Sequence, residues 1–378
     1  MIKIGIVSID INTPMFNYGA ILHTWAFERF LEKNGFENIE LIDYSPEDVE
    51  GQNRLFPFFD LFTNCHKRLS LHYSFHYPTY LRKLFKINRF KKQLRLSKKR
   101  YAFSKINRIK SWNYDLVIAE DDVLWSKHFL CTSCLVDPFY FLNHPGFSQL
   151  KKLSYSVSMA NCDFSNEEMV TIFSYLSSFN AISVRESYAQ EFLNKFGIKA
   201  ETVIDAVFLL EKKDYLPIIS DRFKNKKYVL LYLPAQDNEK LRLDARTYAK
   251  NKGLELIEIN NKVVSKKGLI GDAGVEDFLS AIFYADSVFT NSFHALCFSA
   301  IFHKNFYIYS RLASGKLTDF CKILGLENRF INDDKLYNEL PPIDYDLLDN
   351  RIDAYRLFSQ KWLLDSLDNV SKEFEDGK

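Results

Sequence analysis

Two parallel α/β domains facing across a cleft are what this sequence predicts, and three observations predict them. Strand-like and helix-like segments alternate along most of the chain. Several strands, such as "YVLLYL", are continuous apolar runs, as in a parallel sheet covered on both faces. Polar residues stand where strands hand over to helices, the place where α/β proteins hold ligands. A length of 378 residues suits two cores better than one, and 47% hydrophobic with 26% charged residues lets both be ordinary globular units.

Several classes are disfavoured at once. "MIKIGIVSID" is too short and polar for a signal peptide and alternates like a strand. No run of 18 apolar residues is present to span a membrane. The six cysteines are scattered, and the Cys131/Cys134 CxxC lacks a second pair, so free thiols in a reducing cytoplasm and no metal are expected. A formal charge of +2 names no partner.

In chain order, residues 2–9 read as a buried strand. Asn17-Tyr18-Gly19 precede a helix from Ala20 to about Asn34, with Leu22, Trp25, Ala26, Phe30 and Leu31 at helical spacing, and "IELIDY" (39–44) is the next strand. The stretch 61–114 holds 15 Lys and Arg without one Asp or Glu. Its centre, "LRKLFKINRFKKQLRLSKKR", interleaves Leu84, Phe85, Ile87, Phe90 and Leu94 with cations and reads as a solvated helix over a core. An anionic membrane surface or phosphorylated ligand is the expected sink for the excess charge; no nucleic-acid motif accompanies it.

From 115 the rhythm resumes with strands "DLVIAE" and "KKLSYSVSM" (151–159) and a helix at 166–179. Then come strand "AISVR", helix "ESYAQEFLNKFG" and strand "ETVID". Residues 211–227 read as a linker. A second unit has strands 228–233, 254–259 and 287–290, helices at 275–284, from Phe293 and at 316–324, and strand "FYIYS". The expected division is a Rossmann-like domain 1–215 with the basic insertion 61–114, a second Rossmann-like domain 225–345, and a C-terminal helix in 346–378 returning to the first domain.

Three junctions share one design: Asn17–Gly19, Arg185–Glu186 and Asn291–His294. Helix N-termini expose unpaired N–H groups and favour anions, a glycine admits close backbone approach, and an arginine fork can hold carboxylate or phosphate. Each also has a purely structural reading. Asn17, Asn291 and Ser292 can be helix caps, and Arg185 can pair with Glu186 or Glu191. A lone histidine beside an apolar helix is more often packed than catalytic. A helix N-terminus disfavours the imidazolium of His294 unless an anion sits beside it; a bound phosphate or carboxylate would hold it protonated, as a general acid needs.

In order, "NYGAILHTWAFERFLEKNG", "YDLVIAEDDVLW", "KKLSYSVSMA", "SVRESYAQEFLNKFGIKAETVIDAVFLL", "YVLLYLP", "EDFLSAIFYADSVFTNSFHALCFSAIFHKNF" and "LGLENRF" make the chain resemble the polysaccharide pyruvyl transferase family over nearly its full length. This "NSFH" form looks like a branch of that family. The resemblance implies a glycosyltransferase-B-like, two-domain protein that moves pyruvate from phosphoenolpyruvate onto sugar hydroxyls as a ketal. It implies His294 and Asp122 as catalytic residues, Arg185, Asn291 and Ser292 on the donor, and Asn17, Tyr18, Gly19 and Trp125 toward the acceptor.

Two departures stand out. Many members read Arg-Leu-His where this chain has Ser292-Phe293-His294, so Arg311 and Lys316 are candidates for the missing charge. The family's "GSDQVW" is here Glu120–Trp125, with two added acids that repel an anion and suit a neutral sugar. The expected function is therefore a cytoplasmic pyruvyl transferase of surface-polysaccharide synthesis. It would use phosphoenolpyruvate as co-substrate and no other cofactor, act on a lipid-linked or oligosaccharide acceptor, and touch the inner membrane face through 61–114. A nucleotide-sugar glycosyltransferase and an inactive binding protein of the same pathway are the alternatives.

Overall fold

A computed structural model of the chain describes residues 2–9, 16–52, 55–56, 71–72, 74–234, 238–260, 263–309, 315–331, 337 and 340–376. The chain divides into two compact units. The first comprises Met1–Glu50, Gln93–Leu210 and Arg351–Lys378, the second Gly51–Lys92 and Glu211–Asn350.

The first unit is built on a parallel sheet of β1 (Ile4–Val7), β2 (Ile39–Ser45), β3 (Leu96–Ala102), β4 (Leu116–Glu120) and β5 (Lys151–Tyr155), in the order β3-β2-β1-β4-β5. A short parallel pair, β6 (Ser183–Val184) and β7 (Glu201–Thr202), continues past β5 through the bridges Leu153–Ala181 and Val157–Val184. β1 is central, and Ile4, Ile6 and Val7 are fully buried, which explains its continuous apolar sequence. Gly5 is required there, because a Cβ would come within 2.8 Å of the Tyr114 ring.

Local signals set the helix starts. Helix α1 (Tyr18–Lys33) begins at Asn17, whose side chain accepts from the Ala20 N–H at 3.3 Å. Basic helix α2 (Tyr77–Lys91) follows β2 in the chain. Helix α3 (Asn166–Leu176) opens with a reciprocal cap: the Glu168 N–H donates to Ser165 and the Ser165 N–H to the Glu168 carboxylate. Helix α4 (Ser187–Lys195) follows β6.

The second unit repeats the plan. Its parallel sheet runs β10-β9-β8-β11-β12-β13, from β8 (Tyr228–Tyr232), β9 (Glu255–Ile259), β10 (Leu269–Ile270), β11 (Ser287–Thr290), β12 (Asn305–Tyr309) and β13 (Phe330–Ile331). Its helices are α5 (Glu239–Lys252), α6 (Val275–Phe283), α7 (Phe293–Ile301) and α8 (Lys316–Leu324). Helix α9 (Tyr345–Asp376) begins in the second unit, and from Arg351 it belongs to the first. No helix among the described residues is long and apolar enough to cross a membrane.

Two expectations are corrected. The basic stretch 61–114 is not one insertion in the first domain. Its 61–92 part belongs to the second unit and its 93–114 part to the first, where β3 forms a charged edge strand in place of a continued helix. Five of these cations have internal acidic partners. Arg82 pairs with Asp272 (3.4 Å), Lys86 with Asp277 (2.8 Å) and Arg89 with Glu276 (3.0 Å), while Arg95 meets Glu32 and Arg100 meets Asp43. The second correction concerns 211–227, which forms single helical turns rather than a polar linker, because Tyr215 and Phe223 are fully buried.

In each sheet the chain reverses its direction of winding between two central strands, β1/β4 in the first and β8/β11 in the second. The crevice beyond the carboxyl ends of such strands is where open α/β sheets bind ligands.

Candidate active site

In the second unit the strand β11 delivers the opening residues. The Thr290 hydroxyl donates to the Tyr232 carbonyl (2.7 Å), locking β11 to the end of β8, and accepts from the Ser292 N–H (3.0 Å). Ser292 is the N-cap of α7, its hydroxyl accepting from the Ala295 N–H at 3.3 Å. These bonds force the chain to turn within two residues and place His294 in the first helical turn. His294 is 4% exposed, with its ring edge-on to Phe293 at 5.3 Å. The Lys316 ammonium, at the start of α8, lies 5.9 Å from the Phe293 ring centre. The structure thus gathers Ser292, His294 and Lys316 around Phe293, with half-buried Asn291 adjoining them in the chain. Arg311 lies outside the described residues.

In the first unit the strand ends carry a buried ionic network instead of an open anion site. Arg185, just beyond β6, is 4% exposed. Its guanidinium donates to Asp122 at 2.6 Å, Asp205 at 3.0 Å and Glu186 at 2.9 and 3.1 Å. His23 of α1 lies next to it, with Nδ1 2.6 Å from Glu120 and Nε2 3.6 Å from Asp205. Burial opposes charge on His23, but Asp205 and Glu120 outweigh it and raise its pKa to about 9. Ser8, following β1, donates to Asp121 (2.8 Å) and shares a hydrogen bond with Thr24 (2.8 Å). Asp121 holds a left-handed backbone, φ +134°, and its carboxylate accepts from the Asp122 N–H at 2.6 Å. Five carboxylates (Glu120, Asp121, Asp122, Glu186 and Asp205) thus face two cationic side chains, His23 and Arg185.

This geometry corrects several sequence assignments. Arg185 is committed to three carboxylates, the structural alternative its neighbour Glu186 had suggested. Asp122 is correspondingly held by Arg185. Trp125 is fully buried, donates from Nε1 to the Tyr140 carbonyl (3.0 Å) and stacks on Phe141 at 5.3 Å, so it faces no acceptor. Tyr18 and Gly19 are buried within α1, and Asn17 acts as its cap. Sequence reasoning missed His23. The signal was available in the run Glu120-Asp121-Asp122, because three acids at a buried strand end demand cations from somewhere.

Two parallel α/β units with polar side chains collected at their carboxyl strand ends define a glycosyltransferase-B-like protein. Among solved structures, a UDP-N-acetylglucosamine 2-epimerase from Rickettsia bellii matches with TM-score 0.51 and 10% identity, covering 98% of each chain. The UDP-GlcNAc 2-epimerase of Methanocaldococcus jannaschii gives TM-score 0.44 and 13% identity over 94% of this chain and 92% of its own. The Rickettsia bellii match, at 10% identity, speaks for the fold alone. No curated protein matches the chain. The polysaccharide pyruvyl transferase family model matches residues 17–311, and the chain belongs to that family. It is a transferase of polysaccharide synthesis that acts in pyruvyl transfer.

Proposed function

We propose that the protein transfers the pyruvyl group of phosphoenolpyruvate to two hydroxyls of one sugar, forming a cyclic ketal in a surface polysaccharide such as a capsule or exopolysaccharide. The observation that carries this reading is the α7 N-terminus, where Ser292, His294 and Lys316 surround Phe293 in a chain of the pyruvyl transferase family. A helix start and a lysine suit the donor's carboxylate and phosphate. His294 donates a proton to the methylene carbon of phosphoenolpyruvate, creating an oxocarbenium-like centre at the adjacent carbon. One sugar hydroxyl attacks that carbon, and its proton passes to the His294 imidazole, restoring the acid. Phosphate then leaves with its C–O bond electrons, and a second hydroxyl closes the ketal while its proton goes to the departing phosphate, so donor plus diol gives ketal plus hydrogen phosphate. Asn291 and Ser292 belong to the donor side.

The protein works in the cytoplasm on a lipid-linked or oligosaccharide acceptor, with peripheral contact at the inner membrane face. Support for that contact is narrower than the charge count suggested. The α2 cations Arg82, Lys86 and Arg89 are paired internally, leaving Phe75 and Phe85, 78% and 70% exposed, as the apolar contact. Equal co-sedimentation of the wild type and a Phe75→Ser/Phe85→Ser variant with anionic vesicles would remove it.

The test of the activity is ketal formation from phosphoenolpyruvate by wild type and His294→Asn under saturating donor. We expect the variant to keep its fold and much of its donor binding while turnover falls ~10²–10⁴-fold. Near-normal turnover would make His294 a packing residue.

A further inference from the structure

The second unit contains a cavity of about 590 Å³ that the proposed reaction does not use. It lies at the amino ends of the strands, since Asn305 at the start of β12 lines it. The α7 cluster lies at the carboxyl ends. The two ends of β12 are roughly 13 Å apart, at about 3.3 Å per residue.

Four tyrosines, Tyr248, Tyr307, Tyr337 and Tyr345, form much of its wall, and among the described residues lining it there is no carboxylate. Its cations are Arg329 and Lys252. Arg329 is 1% exposed, and its guanidinium lies 5.0 Å from the Tyr307 ring centre. Its hydrogen bonds go to neutral oxygens: the Phe306 carbonyl, the Pro341 carbonyl (2.7 Å) and the Asn305 amide (2.9 Å). The neutral Tyr307 hydroxyl is a further hydrogen-bond partner. A buried guanidinium whose partners among the described residues are all neutral has charge to spare, which an entering carboxylate neutralises at short range. Lys252 lies over the Tyr248 ring at 5.7 Å and adds a second positive centre at the rim, and the Asn251 amide offers further hydrogen bonding. Tyrosine faces present apolar surface with polar edges, a wall suited to a sugar ring.

We propose that this cavity is a second saccharide site, separate from the reaction centre, that holds a carboxylate-bearing sugar of the glycan. The proposal rests on the pyruvyl transfer reading, whose product carries such a carboxylate. A chain already modified is thereby retained while another of its sugars reaches the α7 cluster.

The test is calorimetric titration of the full chain with a pyruvate-ketal galactoside, the same galactoside without the ketal, and pyruvate alone. We expect the acidic glycoside to bind at least about tenfold more tightly than either of the others. Lys252→Glu and Asn251→Ala, both at exposed lining positions, should each weaken it by about tenfold or more with the melting temperature unchanged. Absent binding, equal affinity for the neutral glycoside, or binding untouched by both substitutions would overturn the proposal. Ketal formation from phosphoenolpyruvate is scored separately: its absence removes the donor reading and leaves the binding result standing.

Discussion

Arg185 and His23 carry the positive charge of a buried site that would otherwise hold five carboxylates. Removing Arg185 leaves Asp122, Glu186 and Asp205 together without their shared partner. Breaking such a buried pair from one side costs roughly 3–5 kcal/mol. Arg185→Ala is therefore expected to lower the urea midpoint strongly, and a variant with unchanged stability but weakened donor affinity would return Arg185 to the binding site. His23 gives a pH signature. Its folded pKa of about 9 exceeds the ordinary 6.5, so its stabilisation is full below pH 6.5 and is lost as pH rises through about 9. The stability gap between wild type and His23→Gln should shrink across that window by on the order of 3 kcal/mol. A gap independent of pH would mean the imidazole is neutral in the folded protein.

At the scale of the element, α2 shows how charge can be structural. Asp277 in the first turn of α6 accepts from Lys86 (2.8 Å), Arg222 (2.8 Å), Ser220 (2.9 Å) and the Gly274 N–H (3.1 Å). Burial works against its charge, but Lys86 and Arg222 outweigh that and hold its carboxyl below the ordinary range. Gly274 lets α2 approach, since a Cβ there would lie 2.7 Å from the Lys86 Cβ. Lys83, fully buried on the same helix, donates to the Asn260 carbonyl at 3.2 Å, and burial pushes its amine down to about 7. Asp277→Ala should cost roughly 3 kcal/mol and speed proteolysis of the 71–92 segment. Unchanged cleavage would show that α2 is held by its apolar face alone. The charge bias was plain in the sequence, but its sink was not, because Asp272, Glu276 and Asp277 lie about 190 residues away in the chain.

At the scale of the molecule, α9 completes the first unit. Ser359 accepts from the Ile204 N–H (2.8 Å), Arg356 donates to the Phe208 carbonyl (2.6 Å) and Gln360 to the Leu209 carbonyl (3.0 Å), while Leu363, Leu367 and Val370 are buried. Truncation after Asn350 strips those partners and exposes an apolar face, at roughly 1.5–3 kcal/mol for each large side chain. Loss of cooperative unfolding, followed by near-ultraviolet circular dichroism, is the expected result; a retained sharp transition would make α9 dispensable. The sequence by itself determined the alternation of strand and helix, because period and apolar runs are local properties. It also offered Asn291 and Ser292 as caps of a strand-to-helix turn at His294, since capping is written within four residues, and the structure chose Ser292. Only the tertiary structure decided that Arg185 is enclosed by acids, that Trp125 lies in the core and that 211–227 packs through Tyr215 and Phe223. Those outcomes depend on which distant side chains reach the same buried volume, and burial sets whether a charge binds a ligand or its own neighbours.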